Sequence, residues 1–261
     1  MAQSFVLRDV PLANTDEAEC VRHILSSVLR REGGWLVTVN TDILRRIEKD
    51  SAYRHMLTSA THFVADGMPL VWASRIAMNP LPERVAGSSL LFTLSEAAAK
   101  CGRSVFLLGG NPGTADTTAK RLVDRYPGLT IAGTLCPPFG FMSDDVMMEG
   151  ISEALRRTKP DIVFVALGCP LQDEFIASFL SLLPHAWWIG VGVSFSFAAG
   201  ETPRAPMWMQ RLSLEWLHRL THEPKRLARR YMVDDLPYAV GLLAEACAQR
   251  IRIRTSTGRT R

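Results

Sequence analysis

The sequence contains no apolar run near the roughly 20 residues that a bilayer-spanning helix needs. Its first residues, Met1 to Glu19, carry no basic start followed by a hydrophobic stretch. The expectation is a chain neither led out by a signal peptide nor threaded through a membrane. Cysteine is sparse and unpaired in pattern: Cys20, Cys101, Cys136, Cys169 and Cys247 form no CxxC pair and keep no metal-ligand spacing to a histidine. That excludes a disulfide framework or a zinc ribbon and fits reduced, mostly buried thiols of a cytosolic protein. No internal repeat is present, and the low-complexity content is confined to the polar, basic end from Arg254 to Arg261. No GxGxxG fingerprint, zinc motif or recognition-helix signature occurs, so nucleic acid is not an expected partner.

What is present is a globular composition. The 261 residues are 47% hydrophobic, enough to pack a sizeable core. The formal charge of +4 is unevenly spread. From Pro203 to Arg261 there are 12 Lys and Arg against 5 Asp and Glu, a net +7, which leaves −3 for residues 1–202. A cationic tail is drawn to phosphate, whether on anionic lipid, on nucleic acid or on a diphosphate ligand.

Periodicity divides the chain at the same place. Asn14, with Glu17 three residues on, has the form of a capping box for a helix whose apolar face is Ala18, Val21, Ile24, Leu25 and Val28. Strand-like runs follow at Trp35–Val39, His62–Ala65, Val105–Leu108, Leu129–Gly133, Asp161–Leu167 and Ala186–Val191. Most are continuously apolar, as strands covered on both faces by crossover helices are. The pattern predicts an α/β fold, Rossmann-like, with a largely parallel sheet flanked by helices over residues 1–202. Residues 203–261 read as a helical, basic appendage, with pieces near Met207–Thr221, Pro224–Val233 and Leu236–Arg250 and a strand-like signal only at Ile251–Ile253.

In open parallel sheets ligands bind beyond the carboxyl ends of the strands, which directs attention to the polar residues following each run. Asp66 comes directly after one strand and before a glycine. It is placed either to take a proton from an attacking hydroxyl or to cap the helix beginning near Met68. Thr38 and Asn40 end another strand and offer a hydroxyl and an amide to a sugar, or serve as ordinary strand-end polar residues. Gly109 and Gly110 open a glycine-rich turn before a helix, where backbone N–H groups and the helix dipole can hold phosphate; a ligand-free tight turn has the same sequence. Gln172 and Glu174 start a further helix, either contacting a donor sugar or nucleotide or complementing the dipole. In the tail, Arg219, Arg226 and Arg229 are spaced by seven and three, with Pro224 between. They form either a diphosphate-binding cluster or a solvated basic face. The same alternatives, lipid interface or packing, hold for Trp208, Leu212, Trp216, Leu217 and Tyr231.

Six ordered segments resemble the WecG/TagA/CpsF glycosyltransferase family (glycosyltransferase family 26). They are Thr38-Val39-Asn40, Ala65-Asp66-Gly67, Arg84-Val85-Ala86-Gly87, the Gly109 turn, Gly168-Cys169-Pro170-Leu171-Gln172-Asp173-Glu174, and Arg204-Ala205-Pro206-Met207-Trp208. A longer tail match runs from Leu214-Glu215-Trp216-Leu217-His218-Arg219-Leu220 to Glu223-Pro224-Lys225-Arg226-Leu227-Ala228-Arg229-Arg230-Tyr231.

The resemblance implies an inverting transferase with no required metal or other cofactor, peripheral on the cytoplasmic face of the cell membrane. Its donor would be a UDP-sugar and its acceptor an undecaprenyl-diphosphate-linked sugar. Carried onto this chain, Asp66 is the general base, Thr38 and Asn40 line the pocket, Arg84 and Gln172 contact substrate, and Arg219, Arg226 and Arg229 bring phosphate-binding charge. The sequence departs from the family where Leu171 precedes Gln172 and Asp173 follows it, and where Ser196 stands at a common aspartate position. Those departures favour a hexose donor for exopolysaccharide over an N-acetylmannosamine-type donor. The rival reading is a non-catalytic nucleotide-binding module docking a membrane or protein partner through its basic tail. A homo-oligomer is compatible with either.

Overall fold

The structure, a computed structural model, describes residues 4–257 other than 207, 210–213 and 223; within its helices the side chains of 219, 226, 249 and 252–257 are also outside the description. The chain opens with a short antiparallel hairpin, β1 (Phe5–Leu7) and β2 (Val10–Leu12), in register Phe5 to Leu12. Helix α1 (Glu17–Leu29) follows, with Cys20, Ile24, Leu25 and Val28 buried along one face. Its cap is Asp16, whose side chain accepts from the Glu19 amide at 2.7 Å, and not the Asn14 expected from sequence. Asp16 lies three residues before Glu19, so the same capping chemistry is met two residues later.

Then come β3 (Gly34–Val39), α2 (Thr41–Lys49), α3 (Ser51–Met56), β4 (His62–Ala65), α4 (Met68–Ile76) and α5 (Gly87–Lys100). The second half of the body is β5 (Ser104–Gly109), α6 (Thr114–Arg125), β6 (Thr130–Leu135), α7 (Asp145–Thr158), β7 (Ile162–Ala166), α8 (Leu171–Phe179), β8 (Trp187–Gly190) and α9 (Ser194–Ala199). The tail contains α10 (Glu215–His222), α11 (Pro224–Arg229), a π-helical turn over Arg230–Asp235, and α12 (Leu236–Thr257). The strand-like signal at Ile251–Ile253 lies within α12.

The six strands β3–β8 form one parallel sheet in the order β4-β3-β8-β7-β5-β6. Alternate residues feed two cores. Trp35, Val37, Val39, Val163, Val165 and Trp188 face the side of the hairpin, α2, α4, α7 and α8. Leu36, Val64, Val105, Leu107, Phe164 and Ile189 face α1, α5, α6 and α9. Burial on both faces is why the strands read as unbroken apolar runs. The tail joins this body: Leu242 and Ala246 of α12 belong to the first core. The cysteines are less buried than expected, since Cys20 is enclosed while Cys101 and Cys247 are exposed. No helix among the described residues is long and apolar enough to cross a membrane.

One consequence of this winding locates a crevice. The helices after β3, β4 and β7 go to one face and those after β5 and β8 to the other, so their first turns diverge at the carboxyl edge of the sheet.

Candidate active site

The ends of β3 and β4 bring four of the expected residues together. Thr38 and Val64 are register partners, and Asp66 follows two residues after Val64, its amide donating to the Val39 carbonyl at 2.7 Å. Thr38 is only 9% exposed. Asn40 caps α2, its side-chain oxygen accepting from the Ile43 amide at 3.0 Å. The cap position of α4 is Gly67, and the Asp66 carboxylate faces Arg84, with Oδ1 3.8 Å from Nη1.

The segment Arg84-Val85-Ala86-Gly87 is held there by backbone. The Val85 amide donates to the Ala65 carbonyl at 2.8 Å, which continues the edge of β4. Gly87 then starts α5 so close to β8 that a Cβ on it would stand 3.0 Å from the Gly190 carbonyl oxygen and 3.5 Å from Thr38 Oγ1. A side chain at that position would push α5 away from the strand ends.

Arg84 is the hub of the charges. Its Nη2 donates to Glu215 Oε2 of α10 at 2.5 Å, and Glu215 Oε1 lies 3.5 Å from Arg204 Nε. Arg204 Nη2 donates to Ser89 Oγ at 3.1 Å. Burial works against the Arg84 charge, but Asp66, Glu215 and Glu17 outweigh it and hold the guanidinium above its usual value. Glu17 at the start of α1 is also affected by its surroundings: burial raises it and Glu83 adds to the rise, while a hydrogen bond from Thr93 and the charges of Arg204 and Arg84 oppose it.

Farther along the edge, Gln172 covers the end of β8. It is 7% exposed, and its Oε1 accepts from the Gly192 amide at 3.2 Å. A Cβ at Gly190 would meet Gln172 Nε2 at 2.7 Å, so the glycine makes room for the glutamine. Gly109 and Gly110 end β5 with φ of 101° and 80°. Strands about 4.8 Å apart put that turn about 19 Å from the end of β4. The helix that follows already has an internal anion beside it: Glu201 accepts from Thr114 Oγ1 at 2.5 Å and from Asn111 Nδ2 at 3.4 Å. These hydrogen bonds, Thr114 first, hold the Glu201 carboxyl below its usual value. On the next loop Phe139 is fully exposed, and Cys136 Sγ ties that loop to the Gly110 carbonyl at 3.3 Å.

Two expected residues are not among these contacts. Glu174 points away from Gln172, into a groove of about 400 Å³ lined also by Arg45, Arg46, Lys49 and Tyr53. Arg229 is exposed at the end of α11. The side chains of Arg219 and Arg226, like Leu212, lie outside the described residues. Among the described residues, the guanidinium beside Asp66 is Arg84, and the tail helix α10 brings the Glu215 carboxylate that joins Arg84 to Arg204. Glu215 carries no local sequence signal for this role, because Arg84 is 131 positions away. Among the described residues, no group of three His, Cys, Asp or Glu gathers as a metal-binding cluster would.

In chemical terms, the β3–β4 end offers a carboxylate, a buried hydroxyl and the Arg84 guanidinium at the carboxyl edge of a parallel sheet, with Arg204 linked to them through Glu215. A family model described as the Glycosyl transferase WecG/TagA/CpsF family matches residues 5–252. Among curated proteins, the chain is 32% identical over 244 residues to the N-acetylglucosaminyldiphosphoundecaprenol N-acetyl-beta-D-mannosaminyltransferase of Bacillus subtilis (strain 168), covering 93% of this chain and 92% of the relative. The protein of the same name from Bacillus spizizenii is 30% identical over 239 residues, covering 91% of each. That from Staphylococcus aureus (strain MW2) is 29% identical over 206 residues, covering 79% of each.

Proposed function

The chain belongs to the WecG/TagA/CpsF family of glycosyl transferases, and from that premise we propose that it moves a sugar, with inversion, from a UDP-sugar to an undecaprenyl-diphosphate-linked sugar. The observation that carries the reading is the pairing of Asp66 with Arg84 at the carboxyl edge, 3.8 Å apart, with Arg204 gathered beside them by Glu215. The acceptor hydroxyl attacks the anomeric carbon from the face opposite the nucleotide and gives its proton to Asp66. The bond from that carbon to the diphosphate oxygen breaks as the new one forms, and UDP leaves with the electron pair. One displacement inverts the centre. Guanidinium groups take the place of a divalent ion beside the departing diphosphate.

Thr38, Asn40, Arg84 and Gln172 line the path of the donor along the strand ends, the Gly109–Gly110 turn lies at its far end, and Phe139 offers an aromatic face to the base. Exposed Trp208, Trp216 and Leu217, near the exposed cations Lys225 and Arg229 in sequence, suit a surface laid against anionic lipid on the cytoplasmic side. For the donor, the names of the relatives favour N-acetylmannosamine, whereas the departures at Leu171, Asp173 and Ser196 favour a hexose.

A panel of UDP-sugars offered with a synthetic polyprenyl-diphosphate-sugar, with and without EDTA, tests the reading. Transfer from one donor, insensitive to EDTA and reduced about 100-fold or more in Asp66→Asn, is the expected result, the range that a positioned base supplies. Undiminished turnover in that variant would remove Asp66 from the mechanism. UDP binding without transfer from any donor would favour the non-catalytic module.

A further inference from the structure

In the Arg84 neighbourhood, the carboxylate in closest contact with Arg84 is one that proton transfer does not use. Glu215 stands in the first turn of α10, and its side chain is 12% exposed although Trp216 and Leu217 beside it are exposed. One of its oxygens takes the Arg84 hydrogen bond and the other faces Arg204, which is itself fixed to Ser89 in the first turn of α5. Among the described residues, the charged groups that meet here come from several adjoining elements. Asp66 comes from β4, Glu17 from α1, Glu83 and Arg84 from the segment before α5, Arg204 from the root of the tail, and Glu215 from α10.

We propose that Glu215 is a positioning residue of the transfer site: it seats α10 over the ends of β3 and β4 by bridging Arg84 and Arg204, and it divides the charge of Arg84 so that Asp66 keeps the basicity of a proton acceptor. The second half rests on the reading of Asp66 as the base. A guanidinium paired with Asp66 alone would hold that carboxylate ionised and make it a weak base. Here Arg84 keeps its close contact for Glu215, at 2.5 Å, and stands off from Asp66 at 3.8 Å. The negative charge of Glu215 acts in the same direction, since a nearby like charge disfavours ionisation of Asp66. Seating and basicity are thus joined in one side chain: α10 in place means a competent base.

Glu215→Gln keeps the size and removes the charge. In the full chain it lowers kcat/KM near neutrality by about tenfold or more, the order that a lost charge-assisted hydrogen bond carries. It also moves the acid limb of the kcat/KM pH profile to lower pH. Arg204→Gln does the opposite, because Glu215 then pairs with Arg84 undivided, and its limb moves to higher pH. Glu215→Asp, with the charge kept, returns the limb towards the wild-type position. Without any substrate, trypsin cuts Glu215→Gln faster than wild type between residues 204 and 230 while thermal unfolding of the body is unchanged. Activity lost with the limb unmoved overturns the charge division, and cleavage at the wild-type rate overturns the seating. Should Glu215→Gln fold poorly, the limb shift of Arg204→Gln decides. If the wild type transfers sugar from no UDP-sugar, the functional reading fails and the cleavage rates alone decide whether Glu215 seats α10.

Discussion

The Tyr53 hydroxyl donates to Asp173 Oδ2 at 2.7 Å, joining α3 to the first turn of α8 beneath the groove that Glu174 lines. Asp173 is 2% exposed. Burial pushes its carboxyl up from 3.8 to about 6, restrained by hydrogen bonds from Tyr53 and Cys169. A carboxyl whose folded value lies above its unfolded one binds more protons when folded, so folding stability falls as pH rises between those two values and is level above them. Asp173→Asn removes this titration and leaves a carbonyl oxygen for Tyr53. Relative to wild type, the variant gains on the order of 2 kcal/mol on going from about pH 4 to about pH 8. Urea unfolding at the two pH values checks it; a wild-type-to-variant difference that stays constant would show that Asp173 ionises without cost.

The tail is also open to a stability test. Leu242 of α12 is 1% exposed and belongs to the core that holds Leu70, Val71 and Ala73 of α4. If α12 is a fixed part of the body, Leu242→Ala costs about 2–4 kcal/mol in denaturant unfolding of the whole chain, as large-to-small changes in cores do. A cost below about 1 kcal/mol would mean that α12 lies loosely on α4 and that the tail moves as a whole. The first outcome also implies that cutting the chain at Arg204 uncovers apolar surface and lowers stability together with activity.

How much of this was legible in the sequence depends on whether the cause is local. The six sheet strands were, because burial on both faces writes itself as runs such as Ile162–Ala166. The hairpin was missed: its strands are three residues each, and its turn uses Arg8 and Asp9 at φ of 51° and 63° without a glycine to announce it. Ile251–Ile253 looked like a strand because two isoleucines alternate with arginine, yet the helix begun at Leu236 runs through them. At the candidate site, the placing of Asp66 and Thr38 at neighbouring strand ends was legible, and strand ends in parallel sheets are where ligands bind. Glu174 was grouped with Gln172 by nearness in sequence, but two steps on a helix turn a side chain to the opposite face, which puts it in the groove with Arg45 and Arg46. The Glu215 bridge was not legible at all, since only the folded chain brings α10 to Arg84.

Phe139 allows the nucleotide end of the proposed site to be tested apart from catalysis. Its ring is fully exposed on the loop tied to Gly110, so removing it disturbs no packing. Stacking of a base on an aromatic ring contributes about 1–3 kcal/mol. Phe139→Ala therefore weakens UDP binding by roughly fivefold to 100-fold in calorimetry, with an unchanged unfolding midpoint. Equal affinity in variant and wild type would place the base elsewhere along the edge.

The proposed lipid contact separates binding from chemistry. Trp208 and Leu217 are exposed apolar side chains, and the tail that carries them has an excess of cations. Apolar groups that enter an interface contribute in proportion to buried area, and the cations add a term that salt screens. Trp208→Ser with Leu217→Ser therefore lowers binding to vesicles containing anionic lipid by about tenfold or more in sedimentation, and added salt weakens wild type and variant alike. Neither side chain is placed among the groups around Asp66, so transfer to a short-chain acceptor dispersed in water stays near the wild-type rate while transfer to a long-chain acceptor in vesicles falls. Loss of both activities together would mean that the double change disturbs α10 and its seating. Unaltered vesicle binding would assign the lipid contact to another face of the tail.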